Sequence, residues 1–159
     1  MKRLWAPWRM AYVGASHEAP GCVLCRARAG SDDRAGLVLL RGAHAFLVLN
    51  AYPYAPGHLL AVLNRHVGAI GEARADELAD TMGLVQRAVD ALAGEYRAEG
   101  FNIGLNLGRV AGAGIEAHLH LHVVPRWGGD TNFMSVLDEV RVLPEALATT
   151  WDRLRKRLG

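Results

Sequence analysis

Residues 118–124 read His118-Leu119-His120-Leu121-His122-Val123-Val124, three histidines alternating with apolar residues and closed by two valines. Successive side chains of a β-strand point to opposite faces. The pattern therefore predicts a strand with its three imidazoles on one face and Leu119, Leu121 and Val123 on the other. A helix would scatter the histidines around its circumference, and Val-Val-Pro suits a strand running into a turn. The apolar face is suited to burial. The other carries three groups that can serve as nucleophile, general acid or base, or metal ligand.

Three readings of that face stand side by side. In the blandest, the histidines are merely solvated. In the second, they form a three-histidine metal site, since His-x-His on a strand suits zinc. In the third, an imidazole nitrogen accepts a phosphoryl or nucleotidyl group while its neighbours neutralise phosphate charge.

Composition narrows the class. At 159 residues, 51% hydrophobic and 21% charged, the chain has the size and make-up of one globular domain. A net charge of +2 without a long basic run argues against a dedicated nucleic-acid binder and leaves small anionic substrates open. No apolar run has the length of a membrane span. The segment Met1-Lys2-Arg3-Leu4-Trp5-Ala6-Pro7-Trp8 starts basic but lacks the apolar core of a secretory signal. The two cysteines, Cys22 and Cys25, point to a metal or redox role in a reduced compartment, so a cytoplasmic location is expected. No βαβ pattern surrounds them, which argues against a thioredoxin-type motif.

In chain order, residues 1–20 form an aromatic arm with Trp5, Trp8 and Tyr12, expected to pack on the domain or on a partner subunit. Leu37–Leu40 and Ala45–Asn50 read as a hairpin turning at Arg41-Gly42-Ala43-His44, with His44 solvated. A loop rich in proline leads to a strand over His58–Leu63. Asp76–Tyr96 is one long helix, with Leu78, Met82, Val85, Val89, Leu92 and Tyr96 as its core stripe and Gly100 as its stop. Phe101–Leu107 is a strand, and Gly108–Gly114 a glycine-rich turn. Pro144 starts a short C-terminal helix over 144–159, whose Arg153, Arg155, Lys156 and Arg157 are expected on a solvated face. The fold class is α+β: a five-stranded antiparallel sheet with one long and one short helix.

Residues 118–124 resemble the motif of the histidine-triad (HIT) family of nucleotide hydrolases and transferases, His-φ-His-φ-His-φ-φ, at all seven positions. The segment from Asn50 through Pro53, Pro56, Gly57 and His58 to Leu60 is similar to the family's first strand-loop-strand. Leu4–Tyr12 and Pro125–Met134 resemble a bacterial branch that includes diadenosine tetraphosphate phosphorylases. The resemblance covers most of the chain and implies a single HIT domain over 1–159 and a homodimer.

It implies further that His120 is the nucleophile, that His58 is a fourth histidine supporting the triad, and that Asn50 holds ribose hydroxyls. His122, about two residue rises (~6.6 Å) along the strand, is placed to donate to phosphate or to the leaving oxygen. Asn106 and the backbone N–H groups of Gly112 to Ile115, Gly114 among them, are further candidate donors. Arg126 and Trp127 are expected to face substrate or a second subunit. Where many relatives carry a phosphate-contacting Gln or Ser just before the first histidine, this chain has Ile115, Glu116 and Ala117, and Glu116 is given no role. Zinc-containing members of the superfamily use a Cys-x-x-Cys pair, a histidine after the second core strand and the first triad histidine. The matching residues are Cys22, Cys25, His66 and His118, which implies a structural zinc ion.

The expected activity is cleavage of a dinucleoside polyphosphate, by phosphate or by water, through nucleotidyl-His120. The alternatives are a purine nucleoside phosphoramidase using the same covalent step, a regulatory protein that binds nucleotide without turning it over, and a zinc hydrolase employing all three triad histidines. No nucleic-acid or membrane partner is expected.

Overall fold

The computed structural model describes residues 21–130 and 145–159. The aromatic arm at 1–20, residues 131–134 of the segment after the triad, and Pro144 lie outside the described residues. The elements are α1 (Val23–Ala29), β1 (Val38–Arg41), β2 (Ala45–Leu49), β3 (Leu59–Leu63), α2 (Ala75–Tyr96), β4 (Gly100–Gly104), β5 (His120–Arg126) and α3 (Leu147–Leu158), with 3₁₀ turns at Ile70–Glu72 and Arg109–Ala111. The strands form one antiparallel sheet in the order β1-β2-β3-β5-β4. This is the α+β architecture that the sequence predicts.

Why β2 and β3 read as unbroken apolar runs is visible in the layering, because all five residues of each are buried. One face of the sheet carries α2 and α3 over Leu47, Leu59, Ala61, Leu121 and Val123. On the other face Leu24 of α1 packs with Phe46, Val48, Leu60 and Val62. The hairpin between β1 and β2 is fastened to α2 by Asp80, whose Oδ2 accepts from the N–H groups of His44 (2.6 Å) and Ala45 (3.0 Å).

Several boundaries differ from expectation. The helix α1 was not anticipated: its seven residues are too few to show a period, and its cap is Cys22 rather than a polar capping residue. Met82, expected in the core stripe, is 48% exposed. The buried face of α2 runs instead through Thr81, Leu84, Val85, Ala88, Ala91 and Leu92, because alanines allow the helix to lie close against the sheet. The helix ends at Tyr96 with Arg97 in the left-handed region (φ 51), and Gly100 opens β4 rather than stopping the helix. β4 closes at Gly104, short of Leu107. β5 begins at His120, since Leu119 turns its N–H to Val67 O (2.7 Å) as the chain enters the strand. The arginines of α3 are not simply solvated: Arg153 pairs with Glu95 and Glu145 (both 2.7 Å), and Arg157 pairs with Glu95 (3.0 Å).

Candidate active site and metal centre

β5 sorts its side chains as the alternation requires. Leu121 and Val123 pack toward α2, while His120 and His122 stand on the opposite face, paired across the ladder with Val62 and Leu60. His58 precedes β3 and is fully buried. Gly57 makes that entry possible: its φ is +78, and a Cβ there would lie 2.6 Å from Leu92 Cδ2.

Hydrogen bonding fixes the proton on each ring. The Tyr54 N–H donates to His58 Nδ1 (3.1 Å), so the His58 proton sits on Nε2. That proton is donated to His122 Nδ1 at 2.9 Å, which puts the His122 proton on Nε2. His120 Nδ1–H donates to the His118 carbonyl (2.7 Å), leaving a lone pair on His120 Nε2. His118 Nε2–H donates to Leu63 O (2.8 Å), leaving its Nδ1 lone pair on the opposite side of the ring. Burial favours these neutral forms. It pushes His58 down to about 3, reinforced by His122 and His120, and lowers His120 and His118 despite their backbone acceptors.

Two cavities meet at this relay. The first, about 560 Å³, lies over β2 and β3 under α1 and is lined by His120, His122 and Asn50, with Leu24, Ala27, Leu37, Val48 and Leu60 as apolar wall and Gly112, Gly114 and Ile115 at its rim. Asn50 is oriented by its Oδ1 accepting from the Tyr52 N–H (2.9 Å). The second, about 550 Å³, lies along β4 and β5 and includes Asn102, Gly104, Asn106, His122 and Arg126. Tyr54 lines both and stacks on His58, with ring centroids 4.9 Å apart. Sequence reasoning passed over Tyr54 as part of a proline loop; the only signal was an aromatic residue next to His58's approach.

A separate cluster forms where α1 meets the end of β3. Cys22 Sγ, Cys25 Sγ, His66 Nδ1 and His118 Nδ1 all lie within 4.8 Å of one another and could hold a metal ion. Cys22 is the cap of α1 and Cys25 lies in its first turn, which points both thiols at the same spot. His66 is set by its neighbour Arg65, whose guanidinium holds the buried Glu77 carboxylate (2.6 and 2.8 Å) and draws it down to about 2. Burial, then Cys22, pushes the Cys25 thiol up.

The structure thus brings His58, His120, His122, Asn50, Gly112 and Gly114 to the first cavity or its relay, and Asn106 to the second. The His118 ring meets Cys22 and Cys25 at α1, the helix that covers the His120 and His122 face, and its carbonyl reaches His120. Trp127 lines neither cavity, since its indole N–H is donated to Tyr96 O (3.0 Å). Arg126 is held by Asp130 (2.5 and 2.8 Å) and Asn102 (2.8 Å). His44 sits on the hairpin, 3.6 Å from Asp76.

The family model for the HIT domain matches residues 34–129. A Mycobacterium tuberculosis protein named AP-4-A phosphorylase is 39% identical, over 96% of this chain and 86% of its own. Among solved structures, a zinc-bound histidine triad family protein from Mycobacterium smegmatis superposes with a TM-score of 0.70 at 24% identity, covering 87% of this chain and 93% of its own. Plasmodium falciparum diadenosine triphosphate hydrolase superposes at 0.62 and 17% identity, covering 79% and 75%. Both structural matches bear on the fold, and the sequence matches carry the kinship. The chain is an enzyme of the HIT family, the histidine-triad nucleotide hydrolases and transferases.

Proposed function

We propose that this enzyme cleaves dinucleoside polyphosphates through a nucleotidyl group carried on His120. The observation that carries this reading is the pair of complementary nitrogens at the cavity junction, a lone pair on His120 Nε2 and a proton on His122 Nε2. The name of the mycobacterial relative, AP-4-A phosphorylase, supports the substrate class.

The first cavity takes one nucleoside monophosphate half, with its base against the apolar wall and its ribose toward Asn50. The His120 Nε2 lone pair attacks the α-phosphorus, forming an N–P bond, and the bond to the bridging oxygen breaks with its electron pair leaving on that oxygen. His122 Nε2–H donates a hydrogen bond to the same oxygen and stabilises the charge that develops there, its proton staying on nitrogen while the polyphosphate leaves as the anion. Backbone N–H groups of the 112–115 loop are the candidate donors to the non-bridging oxygens. An oxygen of phosphate or water then attacks the phosphorus, and the N–P pair returns to His120.

The cysteine cluster is read as a zinc site. Zinc–nitrogen bonds of about 2.05 Å and zinc–sulfur bonds of about 2.3 Å in a tetrahedron give edges of about 3.4 Å between nitrogens and about 3.6 Å between nitrogen and sulfur. The cluster has 3.3 Å between His66 and His118, 3.3 Å from Cys22 to His118, 3.5 Å from Cys25 to His118 and 3.3 Å from Cys25 to His66. Four protein ligands would close the shell, so zinc held by Cys22, Cys25, His66 and His118 would supply structural support to α1 and to the approach of β5.

Product analysis with diadenosine tetraphosphate tests the activity. ADP plus ATP formed only with inorganic phosphate marks a phosphorylase. AMP plus ATP formed without it marks a hydrolase. Absence of turnover by wild type overturns the reading in favour of phosphoramidates or of nucleotide binding alone.

A further inference from the structure

Cys22 caps α1 and Cys25 lies in its first turn, so both thiols of the cluster belong to one short helix. The other two members do not: His66 follows β3 and His118 leads into β5. A zinc ion held by all four would therefore fasten the start of α1 to the sheet. The end of the helix is held separately by the Arg41 guanidinium, which donates to the carbonyls of Arg28 and Gly30. Near the start, Val23 and Leu24 line the first cavity.

The same two sulfurs can bond to each other. Positions one turn apart in a helix have Cα atoms about 5 Å apart, within the span that a disulfide bridges. All four ligand atoms lie within 4.8 Å of one another, which lets the sulfurs join by side-chain rotation. Both cysteines are half-buried and His66 is exposed, so a small polar oxidant can reach the cluster. A disulfide here closes a very short loop inside α1 and joins no second element, so it constrains the chain little. It also removes two metal ligands, because zinc is bound by the thiolate.

We propose that the Cys22–Cys25 pair is an oxidation site at which hydrogen peroxide forms a disulfide, releases zinc, unfastens α1 and lowers nucleotide affinity. One thiolate sulfur attacks a peroxide oxygen; the O–O bond breaks, and the departing hydroxide takes a solvent proton, leaving a sulfenic acid. The second thiolate attacks that sulfur, the S–O bond breaks, and hydroxide again leaves as water after taking a proton. The sulfur pair gives up two electrons and the peroxide is reduced to two waters. Zinc, left with His66 and His118, dissociates. The inference rests on the zinc and nucleoside-pocket readings above and adds a regulatory input to them. The bonds that set β5, from His118 Nε2–H to Leu63 and from Leu119 N–H to Val67, do not involve sulfur. The effect therefore falls on binding in the first cavity.

The test treats reduced, zinc-loaded wild type with hydrogen peroxide. It follows zinc captured by a chromogenic chelator, the state of both cysteines by peptide mass, and AMP affinity by calorimetry. Expected are release of the bound zinc, a Cys22–Cys25 disulfide, and AMP affinity lowered by about fivefold or more, with the fold retained by circular dichroism. Dithiothreitol followed by zinc is expected to restore the affinity, a recovery that methionine oxidation would not allow. Zinc retained under peroxide, or lost with sulfinic acids in place of the disulfide, overturns the proposal. A disulfide with unchanged AMP affinity, or global unfolding on oxidation, overturns the coupling through α1. Reduced protein that takes up no zinc overturns the zinc reading and the oxidation switch with it. Reduced, zinc-loaded protein that binds no AMP overturns the nucleotide reading and the effect on affinity, while zinc release and disulfide formation are read independently.

Discussion

The carbonyl oxygen of His118 lies 2.7 Å from Nδ1 of His120, while the ring of the same His118 faces Cys22 and Cys25 at 3.3 and 3.5 Å. One residue therefore belongs to both centres, through its backbone in one and its side chain in the other. The acceptor that fixes the His120 tautomer is held by a peptide whose side chain is anchored in the cysteine cluster and whose Nε2–H is tied to Leu63. The cluster also anchors α1, a wall of the first cavity.

Metal removal is therefore expected to act on stability and binding together. Cys22→Ser, or exhaustive chelation, should abolish bound zinc and lower stability by at least about 2 kcal/mol. KM should rise more than kcat falls, because α1 walls the first cavity, proposed above to hold the nucleoside, and does not carry the triad histidines. Metal content, thermal melting and steady-state kinetics check this. Wild-type protein purified metal-free with undiminished stability would contradict it.

In the proposed mechanism His58 acts through His122, whose Nδ1 lies 2.9 Å from its Nε2. His58→Ala should lower kcat by roughly 10²-fold, the scale of a misdirected hydrogen-bond donor to the leaving oxygen, with KM little changed. Loss of nucleotide affinity instead would mean that His58 shapes the pocket.

Acid should weaken the fold through the same residue. His58 is held neutral, with its pKa lowered to about 3, against about 6.5 in an unfolded chain. Between those values the unfolded state binds a proton that the native state refuses. Its contribution is full above about pH 6.5 and is lost toward pH 3, at up to about 1.4 kcal/mol per pH unit. His58→Phe should reduce the slope of stability against pH by about one proton in urea melts between pH 4 and 6.5. An identical slope would show that His58 titrates normally.

Gly57→Ala should destabilise by about 1–3 kcal/mol, since alanine meets both the positive φ and the Leu92 side chain. Urea unfolding checks the size, and a neutral result would mean that the 50–58 loop relaxes freely.

Much of this was legible in residues 118–124, because a period of two with chemically distinct faces specifies both a strand and its orientation. The alternation could not say that His118 leaves the strand, since that depends on Leu119 bonding to Val67 and on a cysteine pair nearly a hundred residues earlier. The α1 helix was hidden because the metal-ligand spacing of Cys22 and Cys25 displaces the usual capping chemistry. The rotation of α2 was hidden because large residues were counted as core, whereas the sheet is met by Ala88 and Ala91.

The most direct measurement is peptide mapping of enzyme quenched in alkali during turnover of diadenosine tetraphosphate without phosphate, conditions under which an N–P bond on histidine survives. An adenylyl group on His120, absent in His120→Ala and accompanied there by a loss of turnover of at least ~10³-fold, is the predicted result. Turnover with no adduct on His120, or an adduct on His122 or His58, would contradict the assignment.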